Sequence, residues 1–328
     1  FQAFEQDVAL YERLFAVRPG CLVHDLHPDY ATTRYARDRA AREGIRLLAV
    51  QHHHAHVASC MAENGLDEPV IGVAFDGSGF GEDDAIWGGE FLVGDCRGVR
   101  RAAHLRYVRM AGGDRAVREP WRLALAQLRD AGVAIDAIKA RRLQADVQVV
   151  SRMLERGINA PFTSSMGRLF DAVASLAGVR DVVSFEGQAA IELEALATAQ
   201  PESGGYPVEF EPTGGGGGMN VPLVIDTRPL IRAVAADVAG RTPPRVVARR
   251  FHTTIVELVV GTCSRLRDET GIDAVVLSGG VFLNALLTRE ACARLGREGF
   301  RVHRHRVVPP NDGGLSLGQL AVAAAVLA

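Results

Sequence analysis

Twice along this chain an unbroken apolar run ends in glycines. Val70–Phe75 leads into Asp76-Gly77-Ser78-Gly79, and Ala274–Leu277 leads into Ser278-Gly279-Gly280. A run without polar alternation reads as a strand covered on both faces, as in a sheet flanked by helices. Glycines at its end let the backbone approach a ligand closely and turn N–H groups toward an anion. In open α/β sheets, ligands bind beyond the carboxyl ends of such strands. The pattern therefore points to an α/β fold with a cleft, and it marks two places on the cleft wall.

The remaining periodicities fill in that plan. Helices are expected over 8–17, 30–43 and 52–64, the last stopped by Asn64-Gly65, and strands over 21–23, 45–51, 85–93 and 99–108. The middle is helical, at 120–131, 144–156, 165–177 and 187–199, and 201–220 reads as loop. The final third returns to α/β, with helices at 244–270, 284–298 and 313–327 and a strand at 301–303. The five consecutive glycines Gly214–Gly218 lack the context of a phosphate loop and read as a flexible connection. We expect a first α/β lobe at 1–117, a second lobe at 118–308 with a helical insertion and a nucleotide loop, and a segment at 309–328 that returns to the first lobe.

Composition narrows the function. A length of 328 residues gives ample core, and 48% hydrophobic with 23% charged residues is ordinary for a globular protein. A net charge of −2 gives no electrostatic basis for a nucleic-acid partner. No apolar run approaches the roughly 18 residues of a membrane span. The five cysteines are scattered, odd in number and without a Cys-x-x-Cys, which fits buried thiols in a reducing cytoplasm. No signal peptide is legible, and the start at Phe1 suggests a piece of a longer protein.

Four of the ten histidines fall within five positions, in Gln51-His52-His53-His54-Ala55-His56. Only His52 and His56 are four apart, which on a helix puts both imidazoles on one face. The same spacing holds two zinc ligands in metalloproteases. The alternative is a polar helix start with solvated histidines. Asp76 can accept from a ligand hydroxyl, bind a metal, or simply end a tight turn; no Gly-Lys-Ser/Thr follows it, so this is not a Walker loop. Asp312, in Asn311-Asp312-Gly313-Gly314, opens the last helix as an N-cap or an oxygen ligand. Two imidazoles with carboxylates suit Fe(II), Zn(II) or Mn(II) rather than Ca(II). Asp171 lies in a helix otherwise apolar on that side; it can bind ribose hydroxyls, cap, or pair with Arg168. Gly187, in Phe185-Glu186-Gly187-Gln188, opens the following helix. The turn Ser278–Asn284 suits a nucleotide lying against it, or is a plain strand-to-helix connection.

Eight stretches in order carry a resemblance. They are Asp25-Leu26-His27-Pro28-Asp29-Tyr30, Gln51–His56, Gly88-Gly89-Glu90, Arg118-Glu119-Pro120-Trp121-Arg122, Ser165–Ala174, Phe185–Gln188, Leu277–Asn284 and Val308–Gln319. From end to end the chain resembles the C-terminal Kae1-like domain of the HypF carbamoyltransferases, which mature NiFe-hydrogenases. The resemblance implies a two-lobed actin/Hsp70/sugar-kinase-like fold. It implies one divalent metal, Fe2+ or Zn2+, held by His52, His56, Asp76 and Asp312 and bridging to nucleotide phosphates. Asp76, Gly77, Ser78, Gly79, Gly279 and Gly280 would line the nucleotide, ATP, AMP or carbamoyl-adenylate. Asp171 and Gly187 would lie along the ribose, and Asn284 near the adenine.

In that family an acylphosphatase domain cleaves carbamoyl phosphate and a YrdC-like domain makes carbamoyl-adenylate. The Kae1-like domain passes the carbamoyl group to the C-terminal cysteine of the partner HypE, releasing AMP. This sequence carries no acylphosphatase module, no Cys-x-x-Cys zinc fingers and no YrdC-like segment, so we expect the transfer half-reaction alone, with those domains as partners. His53 and His54 are the candidate bases for the incoming thiol. Two other readings remain. An O-carbamoyltransferase for a small metabolite would share the histidines and aspartates, but its usual Arg-Glu-Phe-Gly-Pro-Arg-Ala-Leu-Gly-like stretch is replaced here by Arg118–Arg122. An Hsp70-like nucleotide module would hold Mg2+ through water and carboxylates.

Overall fold

The apolar run at 70–75 is the first part of a longer strand, Val70–Phe80, whose first seven residues are buried. The computed structural model, which describes residues 1–139, 141–211 and 221–328, sets this strand inside a nine-stranded sheet. It runs parallel to Ala274–Ser278 on one side and antiparallel to Ile86–Asp95 on the other. The two glycine-terminated runs are therefore neighbours, with Ser278 level with Ala74, and their glycines emerge together at one end of the sheet. Arg301–Arg304 borders Ala274–Ser278, while Gly98–Leu105, Leu223–Asp226 and Glu209–Phe210 extend the sheet beyond Ile86–Asp95. A second, two-stranded parallel sheet joins Cys21–Asp25 to Arg46–Val50 through the helix Ala31–Glu43.

The strand does not stop at Phe75, as expected from its glycines. The ladder to Ile86–Asp95 shifts register between Phe75 and Gly79. Such a bulge leaves residues unpaired, bends the strand and re-aims side chains, and here the residues set free are Asp76, Gly77 and Ser78. Gly279 makes room beside it: its φ is +99°, and a Cβ there would collide with the Phe75 carbonyl.

The helix His52–Asn64 begins where Gln51 Oε1 accepts the backbone N–H groups of His53 and His54, at 2.6 and 2.9 Å. One face packs Val57, Cys60 and Met61 onto Val70, Ala74, Leu92 and Val276. The other packs Ala55 and Ala58 against Val322 of the closing helix Leu315–Leu327. Gly318 of that helix abuts the Ala55 carbonyl so closely that no Cβ would fit. Covered on both sides, the first ten residues of the histidine helix are all buried. A solvated histidine start is thereby excluded.

The main core fills the space between the sheet and the middle helices, with Phe75, Phe91, Phe170 and Phe251 among its largest fully buried members. Among the elements around it, the helix Asp136–Lys139, the strand Leu223–Asp226 and the helix Arg228–Ala239 were not expected, and the strand Glu209–Phe210 stands where loop was expected. Four residues give little strand signal, and Pro229 reads as a breaker although the first helical turn tolerates it. Gly214–Gly218 lie outside the described residues. Among the described residues no helix is long and apolar enough to cross a membrane.

Candidate metal and nucleotide site

His52 and His56 leave their helix one turn apart, and both Nε2 atoms face Asp76 Oδ2, at 3.3 and 3.2 Å. Asp312 Oδ1 lies 3.7 and 3.6 Å from the same two nitrogens. One donor atom from each of the four residues falls within 4.8 Å of the others. The bulge delivers Asp76. Its Oδ1 accepts the N–H groups of Gly77 and Gly280, at 2.8 and 3.2 Å, which leaves Oδ2 for the cluster. Asp312 does not cap: Asn311 Oδ1 takes that place by accepting the Gly313 N–H at 3.2 Å.

Asp25 supports this cluster and had no assigned role in the sequence. Its Oδ2 accepts from His52 Nδ1 at 2.8 Å, and its Oδ1 accepts the His27 N–H at 2.8 Å. A proton fixed on Nδ1 by a carboxylate orients the ring and turns the Nε2 lone pair to a metal, the usual outer partner of a ligating histidine. Burial presses the His52 imidazole down, but its bonds to Asp25 and Asp76 outweigh that and lift it to about 10. His56 is also raised, by Asp312 and Asp76 against burial, and the two imidazoles hold the buried Asp76 well below the ordinary carboxylate range. The cluster thus attracts positive charge strongly. Two imidazole nitrogens and two carboxylate oxygens are a donor set suited to Fe(II), Zn(II) or Mn(II).

The other two histidines do not join it. The His53 ring is fully buried beside Trp87 and above Gly79, whose Cβ would come within 2.5 Å of His53 Cε1, and burial keeps its imidazole neutral. His54 Nε2 donates to the Asp95 carbonyl at 2.8 Å. Neither side chain lines the cleft, so the expectation that one of them serves an incoming thiol is corrected by their placement.

A cavity of about 520 Å3 adjoins the cluster. Asp76, Gly77, Ser78, Asp171, Gly187, Gly280, Asn284 and Asp312 all line it; Gly79 lies under the histidine rings and Gly279 behind the wall. The glycine N–H groups are not turned outward as expected. Those of Gly77 and Gly280 hold Asp76, and that of Gly279 donates to the Pro310 carbonyl at 2.9 Å. Asp171 sits on the helix Met166–Leu176, where burial pushes its carboxyl up to about 6 against the opposing pull of Arg168.

Asn284 is largely committed. Its Oδ1 accepts the Leu287 N–H at 2.8 Å, capping the helix Ala285–Arg297, and its Nδ2 lies 2.9 Å from His252 Nε2. His252 donates through Nδ1 to the Ala248 carbonyl at 2.8 Å, so Nε2 is the acceptor, and burial holds the ring near 4 and therefore neutral. One Nδ2 hydrogen of Asn284 remains for the cavity. His252 was missed because a lone histidine within the helix Pro244–Thr270 carries no motif.

A second unforeseen device fixes the segment that carries Asp312. Glu63, near the far end of the histidine helix, accepts through Oε1 from the N–H groups of Arg306, Val307 and Val308, at 3.0, 2.6 and 3.3 Å. Its Oε2 accepts from His305 Nδ1 at 2.9 Å, and His305 Nε2 accepts from Ser278 Oγ at 2.9 Å. The helix that bears His52 and His56 therefore also positions the approach to Asp312.

Comparison with known proteins is consistent across the chain. Residues 1–63 match the family described as the HypF Kae1-like domain, and residues 72–319 match the second subdomain of the carbamoyltransferase Kae1-like domain. Carbamoyltransferase HypF2 of Cupriavidus necator is 42% identical over 341 residues, covering 98% of this chain and 42% of that protein. Carbamoyltransferase HypF of Rhodobacter capsulatus is 41% identical over 332 residues, covering 100% of this chain and 42% of that protein. A crystal structure of full-length HypF in a phosphate- and nucleotide-bound form superposes with a TM-score of 0.92 at 39% identity, over 100% of this chain and 42% of that one. The chain spans about two fifths of these relatives, at 42% of each. The two-lobed, Kae1-like α/β fold anticipated from the sequence is the fold of this chain.

Proposed function

We propose that this chain, which belongs to the Kae1-like domain family of the HypF carbamoyltransferases, carries the carbamoyl-transfer site of such an enzyme. The donor would be carbamoyl-adenylate. The acceptor would be the C-terminal cysteine thiol of a HypE-type hydrogenase-maturation protein, and AMP would be released. The observation that carries this reading is the adjacency of the His52–His56–Asp76–Asp312 cluster to a cavity of about 520 Å3. The nucleotide-bound form of a 39% identical HypF supports it.

His52, His56, Asp76 and Asp312 fit a divalent metal, Fe(II) or Zn(II), and Asp25 fits the part of an outer partner. Such an ion supplies Lewis-acid polarisation of a phosphoryl oxygen. The chain's own residues do the positioning. Asp171 accepts from the ribose hydroxyls, and the free Nδ2 hydrogen of Asn284 is offered to the base. In the transfer, the partner's thiolate sulfur bonds to the carbamoyl carbon, and the carbon–oxygen bond to the phosphate breaks with its electron pair leaving on AMP. The thiol proton goes to solvent, since neither His53 nor His54 lines the cleft; a cysteine near its ordinary pKa of about 8.5 supplies enough thiolate unaided.

The test supplies the purified, metal-loaded chain with carbamoyl-adenylate, made in situ from carbamoyl phosphate and ATP by the remaining domains of a full-length relative. A HypE-type acceptor is then read by intact mass. One added carbamoyl group, lost when the acceptor's terminal cysteine is replaced by serine, supports the reading. No transfer by a chain that binds both metal and nucleotide refutes it.

A further inference from the structure

We propose that Arg168 is the anion-binding residue of this cavity: it takes the nucleotide phosphate and makes the site select nucleoside phosphates over free nucleosides. The inference rests on the nucleotide reading above and deepens it. The cavity wall carries five carboxylates, Asp76, Asp171, Glu186, Glu194 and Asp312, and Arg168 is its one basic side chain among the described residues. An anionic ligand entering such a pocket needs a cation of the protein besides any metal. The glycine turns do not supply the donors expected of them, because the N–H groups of Gly77, Gly279 and Gly280 are engaged within the protein.

Arg168 is also incompletely satisfied. It is 5% exposed, yet Nε and Nη1 have no hydrogen-bond acceptor among the described residues. Nη1 lies 3.1 Å from Asp171 Oδ2, near enough for charge pairing but out of line for a hydrogen bond. Buried donors without acceptors are costly, and a guanidinium left with one poorly aligned carboxylate is one that a phosphate will recruit. Its place is apt. A Cβ on Gly77 would sit 3.1 Å from Nη2, so the guanidinium lies against the bulge that presents Asp76 to the metal cluster. A Cβ on Gly167, which precedes it, would come within 2.9 Å of Gly77 Cα, so helix and bulge form one wall. The guanidinium thus reaches from Asp171 to the phosphate end of the cavity, and a ligand with ribose hydroxyls and a phosphate answers both groups at once.

The experiment measures AMP and adenosine affinities by calorimetry on the metal-free chain, for wild type, Arg168→Met and Arg168→Lys, with melting curves to verify folding. Wild type should prefer AMP. Arg168→Met should lose roughly ten- to a hundredfold in AMP affinity with a much smaller change in adenosine affinity, and Arg168→Lys should keep part of the preference. Equal AMP affinity in wild type and Arg168→Met overturns the proposal. Should Arg168→Met fail to fold, phenylglyoxal labelling of the wild type decides: AMP but not adenosine should protect Arg168, and equal labelling with both overturns it. A wild type that binds neither ligand, with or without metal, refutes the nucleotide reading itself and is distinguishable from either failure of Arg168.

Discussion

Asp25→Asn separates support of the metal ligands from ligation. The substitution keeps the shape of a side chain that is 6% exposed, but an amide has one acceptor end. Asp25 now serves two donors, His52 Nδ1 and the His27 N–H, both at 2.8 Å, so asparagine must abandon one of them and also removes the charge. Loss of an outer carboxylate typically costs tenfold to a hundredfold in metal affinity, about 1.4–2.7 kcal/mol. Asp25 also raises the proton affinity of His52, which reaches about 10, and a metal must displace that proton at neutral pH. The two effects partly offset, so the loss should lie near the lower end, about tenfold. Competition for Zn(II) against a chromogenic chelator measures it, alongside His52→Ala, which should abolish binding. The metal-free variant should remain folded, with a melting temperature lower by a few degrees, for about 1–2 kcal/mol. Unchanged affinity in Asp25→Asn, or a loss as complete as that of His52→Ala, would refute the division of roles.

Asn284→Ala removes a helix cap worth about 1 kcal/mol and leaves His252 Nε2 without its donor, worth about as much again; a thermal melt should show a loss near 2 kcal/mol, with weaker adenosine binding and intact metal binding. Glu63→Ala should weaken metal binding about tenfold although it touches no ligand. Glu63→Gln should be nearly neutral, because His305 can reverse its tautomer and donate to Ser278; equal losses in both variants would count against the positioning role. The Asp171 carboxyl is held near 6 against 3.8 in solution, so folding favours its protonated form. The stabilisation this gives is complete below about pH 4 and disappears as pH rises through 6. Asp171→Asn should therefore match wild-type stability near pH 4 and exceed it above pH 6, by at most about 3 kcal/mol; a difference independent of pH would contradict that.

The histidine pair was legible because its information is local: four-residue spacing on a helix brings His52 and His56 onto one face. The two apolar runs were legible for the same reason, and their glycines marked where the strands meet the cleft. Long-range facts were not. That Val70–Phe80 pairs with Ala274–Ser278 is decided by packing, as is the bulge that turns Asp76 inward and draws the N–H groups of Gly77 and Gly280 to it. Asp25, Glu63, His252 and His305 gain their roles only when separate elements meet; Asp25 stands in a recognisable stretch that does not reveal its partner His52, and nothing in the neighbours of the other three along the chain distinguishes them. His53 and His54 show the converse. Adjacent in sequence to a ligand, they are rotated off its face by helical geometry, one into the core and one toward Asp95.

In the proposed site metal and nucleotide phosphate meet in one place. The most direct measurement is AMP affinity by calorimetry on the wild-type chain, metal-free and loaded with one equivalent of Zn(II) or Fe(II), and on His56→Ala under both conditions. Tighter AMP binding in the loaded wild type, with no metal response in His56→Ala, is the predicted result. AMP affinity indifferent to metal in a wild type that demonstrably holds it would contradict the shared site.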